Sequence, residues 1–256
     1  MLHVAMLHLA PSPGDLSLNQ DAIERGIYLA ADAGAHWVVT SELATSGYSF
    51  AARLGTDWIT PQPDAWAQRM AAIAARYKMA LFLGLPERDL LTGTLHNTVL
   101  AIAPDGSVAG RHRKINTLRV GAEAWSSPGT SAGVVDLGRT GKAGILVCAD
   151  ACTPAIAERL RTDGADVLVS ASAWAPGLYG PEGEWETLTE RTGLPLFVCN
   201  RTGSDSALDF TAAESIVADR GRRLLSRSFA EPTLLLVEWD GLERRIVAVH
   251  DSRIGG

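Results

Sequence analysis

The stretch Gly144-Ile145-Leu146-Val147-Cys148-Ala149-Asp150-Ala151-Cys152-Thr153-Pro154 constrains the fold most. An apolar run of strand length stops at a cysteine. Polar residues follow at once, with Thr153 as an expected N-cap and Pro154 at the first helical position. Strand, sharp turn and helix start are therefore compressed into eleven residues. A thiol so placed stands at the carboxyl edge of a sheet, where α/β folds bind ligands. Nearby helix amides are expected to lower its pKa, which makes Cys148 the candidate nucleophile.

The same plan recurs along the chain. His36 to Thr40 and Asp166 to Ser172 read as buried strands, with amphipathic helices expected over Asn19 to Ala33, Pro63 to Lys78, Pro154 to Arg161 and Glu184 to Thr192. Strands alternating with helices imply a sheet with helices packed on it. Further strands are expected at His3 to Leu9, Met79 to Leu85, His96 to Ile102, Leu194 to Cys199 and Thr233 to Trp239, with an edge segment near Ile246 to Val249. Pro104-Asp105-Gly106-Ser107 joins a hairpin, and Asp219-Arg220-Gly221 repeats that plan later in the chain.

With 256 residues the chain suits one α/β domain, residues 1–256, in which roughly the last 15 residues form an oligomerisation segment or a frayed tail. A net charge of -6, without long runs of either sign, argues against a nucleic-acid or anionic-membrane surface. The amino terminus lacks the pattern of a signal peptide, no segment approaches a membrane span, and an odd set of three cysteines suits a reducing compartment; a cytoplasmic location is expected. The scattered histidines predict no metal site.

Taken singly, other polar residues say little. Glu42 follows an apolar strand, where partial burial raises a carboxyl pKa toward proton-transfer use, yet such an acid also serves as a solvated cap. Arg111, Arg113 and Lys114 end a hairpin arm and read on composition as a solvated, aggregation-resistant edge. Glu87 falls in an expected polar loop. Cys152 and Cys199 read as small buried packing residues, and Asp150 as a brace that accepts backbone hydrogen bonds within its turn.

In order, Ser41-Glu42-Leu43-Ala44-Thr45-Ser46-Gly47-Tyr48, Arg113-Lys114-Ile115 and Cys148-Ala149-Asp150 with Pro154 resemble the nitrilase, or carbon-nitrogen hydrolase, superfamily. Gly84-x-x-Glu87, Asn97-Thr98, Pro128-Gly129 and Gly164-Ala165-Asp166 extend the resemblance over nearly the whole chain. It implies a four-layer α-β-β-α sandwich carrying a Glu-Lys-Cys triad at Glu42, Lys114 and Cys148, without metal or organic cofactor. It also implies a second glutamate at Glu123, an oxyanion hole from Lys114 and the Ala149 amide, and self-association into a homodimer or larger. Ser41 stands where the family usually has proline, and Ala149 where it usually has an aromatic residue. These departures bear on the pocket, for which Tyr48, Trp125 and Trp174 are the candidate walls. The implied activity is hydrolysis of a small linear amide or N-carbamoyl compound through a thioester. A nitrilase acting on a C≡N group, or a catalytically decayed binding member, are the alternatives.

Overall fold

The computed structural model describes residues 1–177, 180–205 and 208–255. Strand β1 (Leu2–His8) leads to helix α1 (Leu16–Asp32), then β2 (Trp37–Thr40), the short α2 (Ala51–Leu54) and α3 (Ala65–Tyr77). Next come β3 (Ala80–Arg88), β4 (Leu95–Ile102), β5 (Val108–Arg113) and β6 (Val134–Asp136). Strand β7 (Lys142–Val147) passes through a 3-10 turn (Cys148–Cys152) into α4 (Pro154–Thr162), followed by β8 (Val167–Ala171), α5 (Glu184–Thr192) and β9 (Leu196–Cys199). A two-stranded pair, β10 (Ser204–Asp205) and β11 (Leu208–Asp209), precedes β12 (Ser215–Asp219), β13 (Arg222–Arg227), β14 (Thr233–Asp240) and β15 (Arg245–Arg253).

Two large sheets result, seven-stranded in the order β15-β14-β1-β2-β3-β4-β5 and six-stranded in the order β13-β12-β9-β8-β7-β6. The alternation along β1 shows why they stack. Val4 and Met6 join Val39, Phe82, Ile145, Val147 and Val169 in a core between the sheets. Ala5 and Leu7 point the other way, against Ile23 and Ile27 of α1 and Met70 of α3. On the far side, Leu146 and Leu168 pack beneath Ile156 and Leu160 of α4 and Leu188 of α5. Strands buried on both faces need continuous apolar runs, which is how the sequence reads at these places. The architecture is the expected four-layer α-β-β-α sandwich.

Local chemistry sets the boundaries. Helix α1 begins before Asn19 because Asp15 accepts from the Leu18 amide at 3.2 Å. Strand β3 runs past Leu85 to Arg88 and carries Glu87, which is buried rather than held in a polar loop. Thr153 occupies the N-cap of α4 but makes no side-chain cap; its hydroxyl accepts from Asn116 Nδ2 at 2.6 Å. The three-residue β6 is too short for periodicity to reveal. Trp37, Val38 and Val39 pair in parallel with β1 and with β3, so β2 delivers its carboxyl end to the centre of its sheet.

Candidate active site

The carboxyl end of β2 delivers Glu42. Gly84 permits the approach: a Cβ there would lie 2.1 Å from the Ser41 carbonyl oxygen. Behind Glu42 the chain turns sharply at Leu43, whose φ is +50°. The opposite sheet holds Glu42 from the other side, through the Ala173 amide donating to Oε2 at 3.0 Å.

Lys114 follows β5. Its amide donates to the Asn97 carbonyl and its carbonyl accepts from the Gly129 amide, both at 2.8 Å. A Cβ on Gly129 would lie 2.2 Å from the Arg113 carbonyl oxygen, so the Pro128-Gly129 pair clamps the strand end that presents Lys114. Lys114 Nζ donates to Glu42 Oε1 and to Glu123 Oε2, each at 2.8 Å, with all three side chains fully buried. Asn97 Nδ2 makes a second bridge, to Glu42 Oε1 at 2.7 Å and Glu123 Oε1 at 2.8 Å. Glu123 also accepts from the Leu118 amide at 3.0 Å.

Cys148 ends β7 with φ +44°, a left-handed conformation that costs a residue bearing a Cβ about 1–3 kcal/mol and turns its thiol out of the strand line. Asp150 holds this elbow. Its Oδ2 accepts from the Val147 amide at 3.0 Å and pairs with His112 Nε2 at 2.8 Å, while Oδ1 accepts from the amides of Ile115 and Asn116 at 3.0 and 2.8 Å. Asp150 thus braces more than its own turn: it ties the segment after Lys114 to the segment carrying Cys148. Asn116 adds a third tie, to the Ala149 carbonyl at 3.0 Å.

Electrostatics divides the roles. Burial, reinforced by the charge of Glu42, pushes the Cys148 thiol well above its ordinary pKa despite Lys114 nearby. This reverses the expectation of a thiol acidified by helix amides: desolvation outweighs the short 3-10 turn, so the resting sulfur keeps its proton and needs a base. Burial opposes the charge on Lys114, but Glu42 and Glu123 outweigh it and hold the ammonium well above its usual pKa. Glu123 is raised by burial and by the charge of Glu42, against the pull of Lys114.

The solvated-edge reading of the hairpin arm is overturned at Lys114, while Arg111 and Arg113 keep part of their side chains in solvent. Lys114 is buried, and Arg111 and Arg113 both pair with buried Glu87, Arg113 Nε at 3.1 Å from Oε2. Cys199 is buried as expected and Cys152 is exposed, because the elbow turns it to the helix side. Tyr48 and Trp125 line one cavity. Trp174 does not line it; its ring packs edge-on against Trp185 with centroids 5.4 Å apart. Asn97 and His112 are the polar partners that residue-by-residue reading missed. For Asn97 the available signal is its place in a polar His96-Asn97-Thr98 run within a strand that is otherwise apolar.

No helix among the described residues is long and apolar enough to cross a membrane. The family model for carbon-nitrogen hydrolases matches residues 3–244. The omega-amidase NIT2 of Mus musculus is 27% identical over 240 residues, covering 88% of this chain and 84% of that protein. A probable nitrilase of Schizosaccharomyces pombe is 23% identical over 227 residues, covering 86% and 82%. Among solved structures, an amidase from Nesterenkonia sp. AN1, a mutant with acrylamide added at its active-site cysteine, has a TM-score of 0.79 at 23% identity, with 94% of each chain covered. Nit3 of Saccharomyces cerevisiae, from the nitrilase superfamily, has a TM-score of 0.77 at 24% identity over 92% of this chain and 88% of its own. The chain belongs to the carbon-nitrogen hydrolase family, enzymes that act on carbon-nitrogen bonds other than peptide bonds.

Proposed function

We propose that this protein is a cysteine-dependent amidase, releasing ammonia or an amine from a small linear amide or N-carbamoyl compound through a thioester on Cys148. The observation that carries this is the fully buried Lys114 ammonium held between Glu42 and Glu123 at 2.8 Å from each, beside a buried cysteine in a left-handed turn. A buried thiol with a raised pKa is a poor nucleophile until a base takes its proton, and in this reading Glu42 is that base.

Glu42 removes the proton as Cys148 Sγ attacks the carbonyl carbon. The developing oxyanion is met by Lys114 and by the Ala149 amide, in the first turn after the elbow, where helical amides lack intrahelical partners. Glu42 returns the proton to the nitrogen as the carbon-nitrogen bond breaks and ammonia or the amine leaves. Water, deprotonated by Glu42, then attacks the thioester, and the acid departs as the thiol is restored. Glu123 and Asn97 hold Lys114 and Glu42 in register throughout. Support comes from the amidase from Nesterenkonia sp. AN1, whose cysteine-to-alanine mutant was solved with butyramide at 25% identity to this chain.

The test is ammonia release from a panel of amides, N-carbamoyl compounds and nitriles, run beside Cys148→Ala and Cys148→Ser. Release by wild type and by neither variant supports the mechanism; activity that survives Cys148→Ala removes it. Preference for nitriles over the matching amides would make the protein a nitrilase using the same thiol. By resemblance we further propose a cytoplasmic, single-domain protein that forms homodimers or larger assemblies with itself.

A further inference from the structure

Tyr48 and Trp125 are two walls of a cavity of about 660 Å³, within the size range of small-molecule sites. The wall of this cavity borders the charge cluster: Ala122 and Ala124 line it on either side of Glu123. The Leu118 amide, on the same wall, donates directly to Glu123 Oε2. The wall that begins at Leu118 is therefore hung on a glutamate of the candidate site.

The lining is apolar where a substrate would enter. Leu118, Val120 and Leu208 line the cavity and remain 50%, 74% and 39% exposed. Large apolar side chains gathered at a cleft mark surface that a ligand covers. Charge is nearly absent: among the described residues lining the cavity, Asp205 is the one ionisable acid, and neither lysine nor arginine appears. Asp205 is already engaged, its Oδ2 accepting from the Tyr48 and Ser49 amides at 3.0 and 3.2 Å and from Arg201 Nη1 at 2.9 Å. Arg201 is itself buried, donating to the Pro11 carbonyl at 3.0 Å and lying over the Phe210 ring. It offers nothing to a carboxylate entering the cavity.

We infer that this cavity receives the acyl group of the substrate and selects an uncharged, apolar one: primary amides of neutral aliphatic or aromatic acids, to the exclusion of diacid monoamides and N-carbamoyl amino acids. The inference rests on Cys148 being the nucleophile of an amidase. A terminal carboxylate here loses its water, meets no cation and faces the carboxylate of Asp205, whereas each added methylene gains from burial.

The test compares kcat/KM for ammonia release across acetamide, butyramide, pentanamide and hexanamide, and between pentanamide and succinamate, which match in length and differ in the terminal carboxylate. The expected result is a rise of about fourfold per methylene until the cavity is filled. Pentanamide is expected to exceed succinamate by about 100-fold or more. In Val120→Lys, a cation at the exposed wall is expected to narrow that ratio at least about tenfold. An unchanged ratio in this variant overturns the assignment of the cavity to the acyl group. Succinamate or N-carbamoyl-β-alanine turned over as fast as pentanamide overturns the inference and leaves the amidase reading intact. No ammonia from any amide, with no acyl group found on Cys148, removes both.

Discussion

Glu87 and Glu123 are both buried glutamates paired to cations, and the protein drives them in opposite directions. Burial opposes ionisation of Glu87, but Arg113, Arg111 and the Thr98 hydroxyl outweigh it and its pKa falls. At Glu123 burial acts together with the charge of Glu42, Lys114 cannot compensate, and the pKa rises. The two clusters grow from adjacent residues of one hairpin. Asn97 reaches Glu42 and Glu123, while Thr98 donates to Glu87 at 2.9 Å; Lys114 serves one cluster and Arg113 the other. Two arginines balance Glu87 and Asp89, and the arginine side chains are 36% and 25% exposed. The other cluster sets two carboxylates against one ammonium, with all three side chains fully buried. A balanced cluster holds a strand pair together. In the proposed mechanism the unbalanced buried one keeps a proton acceptor poised, at a cost in stability that a purely structural cluster would not carry.

Substitution at Lys114 should break the contrast most severely. Lys114→Met leaves two buried carboxylates facing each other, so a loss of about 3–5 kcal/mol is expected in denaturant unfolding. Any folded fraction should lose about 100- to 1,000-fold in kcat. Glu42→Gln keeps the shape and most hydrogen bonds but removes the base. We expect kcat to fall by about 100- to 10,000-fold, with an unfolding midpoint near that of wild type.

Opposite pKa shifts give opposite pH signatures. The folded pKa of Glu87 lies below its ordinary value of 4.5, so its contribution is present above that pH and is lost as pH falls through the folded pKa. For Glu123 the folded pKa lies above 4.5, so its contribution is present below that pH and is lost as pH rises through the folded pKa. Glu87→Gln should therefore flatten the acid limb of the stability profile, at a cost of about 1–3 kcal/mol near neutrality. Glu123→Gln should flatten the limb above pH 4.5. Thermal unfolding across pH, compared between the two variants, reads both signs; limbs that flatten on the same side would refute the distinction. Arg111→Ala should matter least: its half-exposed pair with Glu87 is worth under about 1 kcal/mol, and kcat should stay within about twofold of wild type.

The layered fold was legible because strands buried on both faces leave apolar runs, and Pro154 marks a helix start chemically. Short elements such as β6 carry too few residues for any period. At the site, Cys148 stood out from its strand-turn-helix setting, whereas Glu42 and Lys114 stood out only as members of an ordered set. No local pattern separates Lys114 from its neighbours Arg111 and Arg113: three basic residues look alike until the sheet decides which is buried. The pairing of His112 with Asp150 spans 38 residues, and no spacing rule reaches that far. The fall in pKa expected for Cys148 was wrong in sign because a short segment does not reveal how completely the opposite sheet covers it.

Mass spectrometry of the intact protein, quenched during turnover of a neutral amide, tests the central claim most directly. The account predicts a mass increase equal to the acyl group, mapping to Cys148, absent from Cys148→Ala and sharply slowed in Glu42→Gln. Turnover by Cys148→Ala, or an acyl group mapping to Cys152 or Cys199, would contradict it.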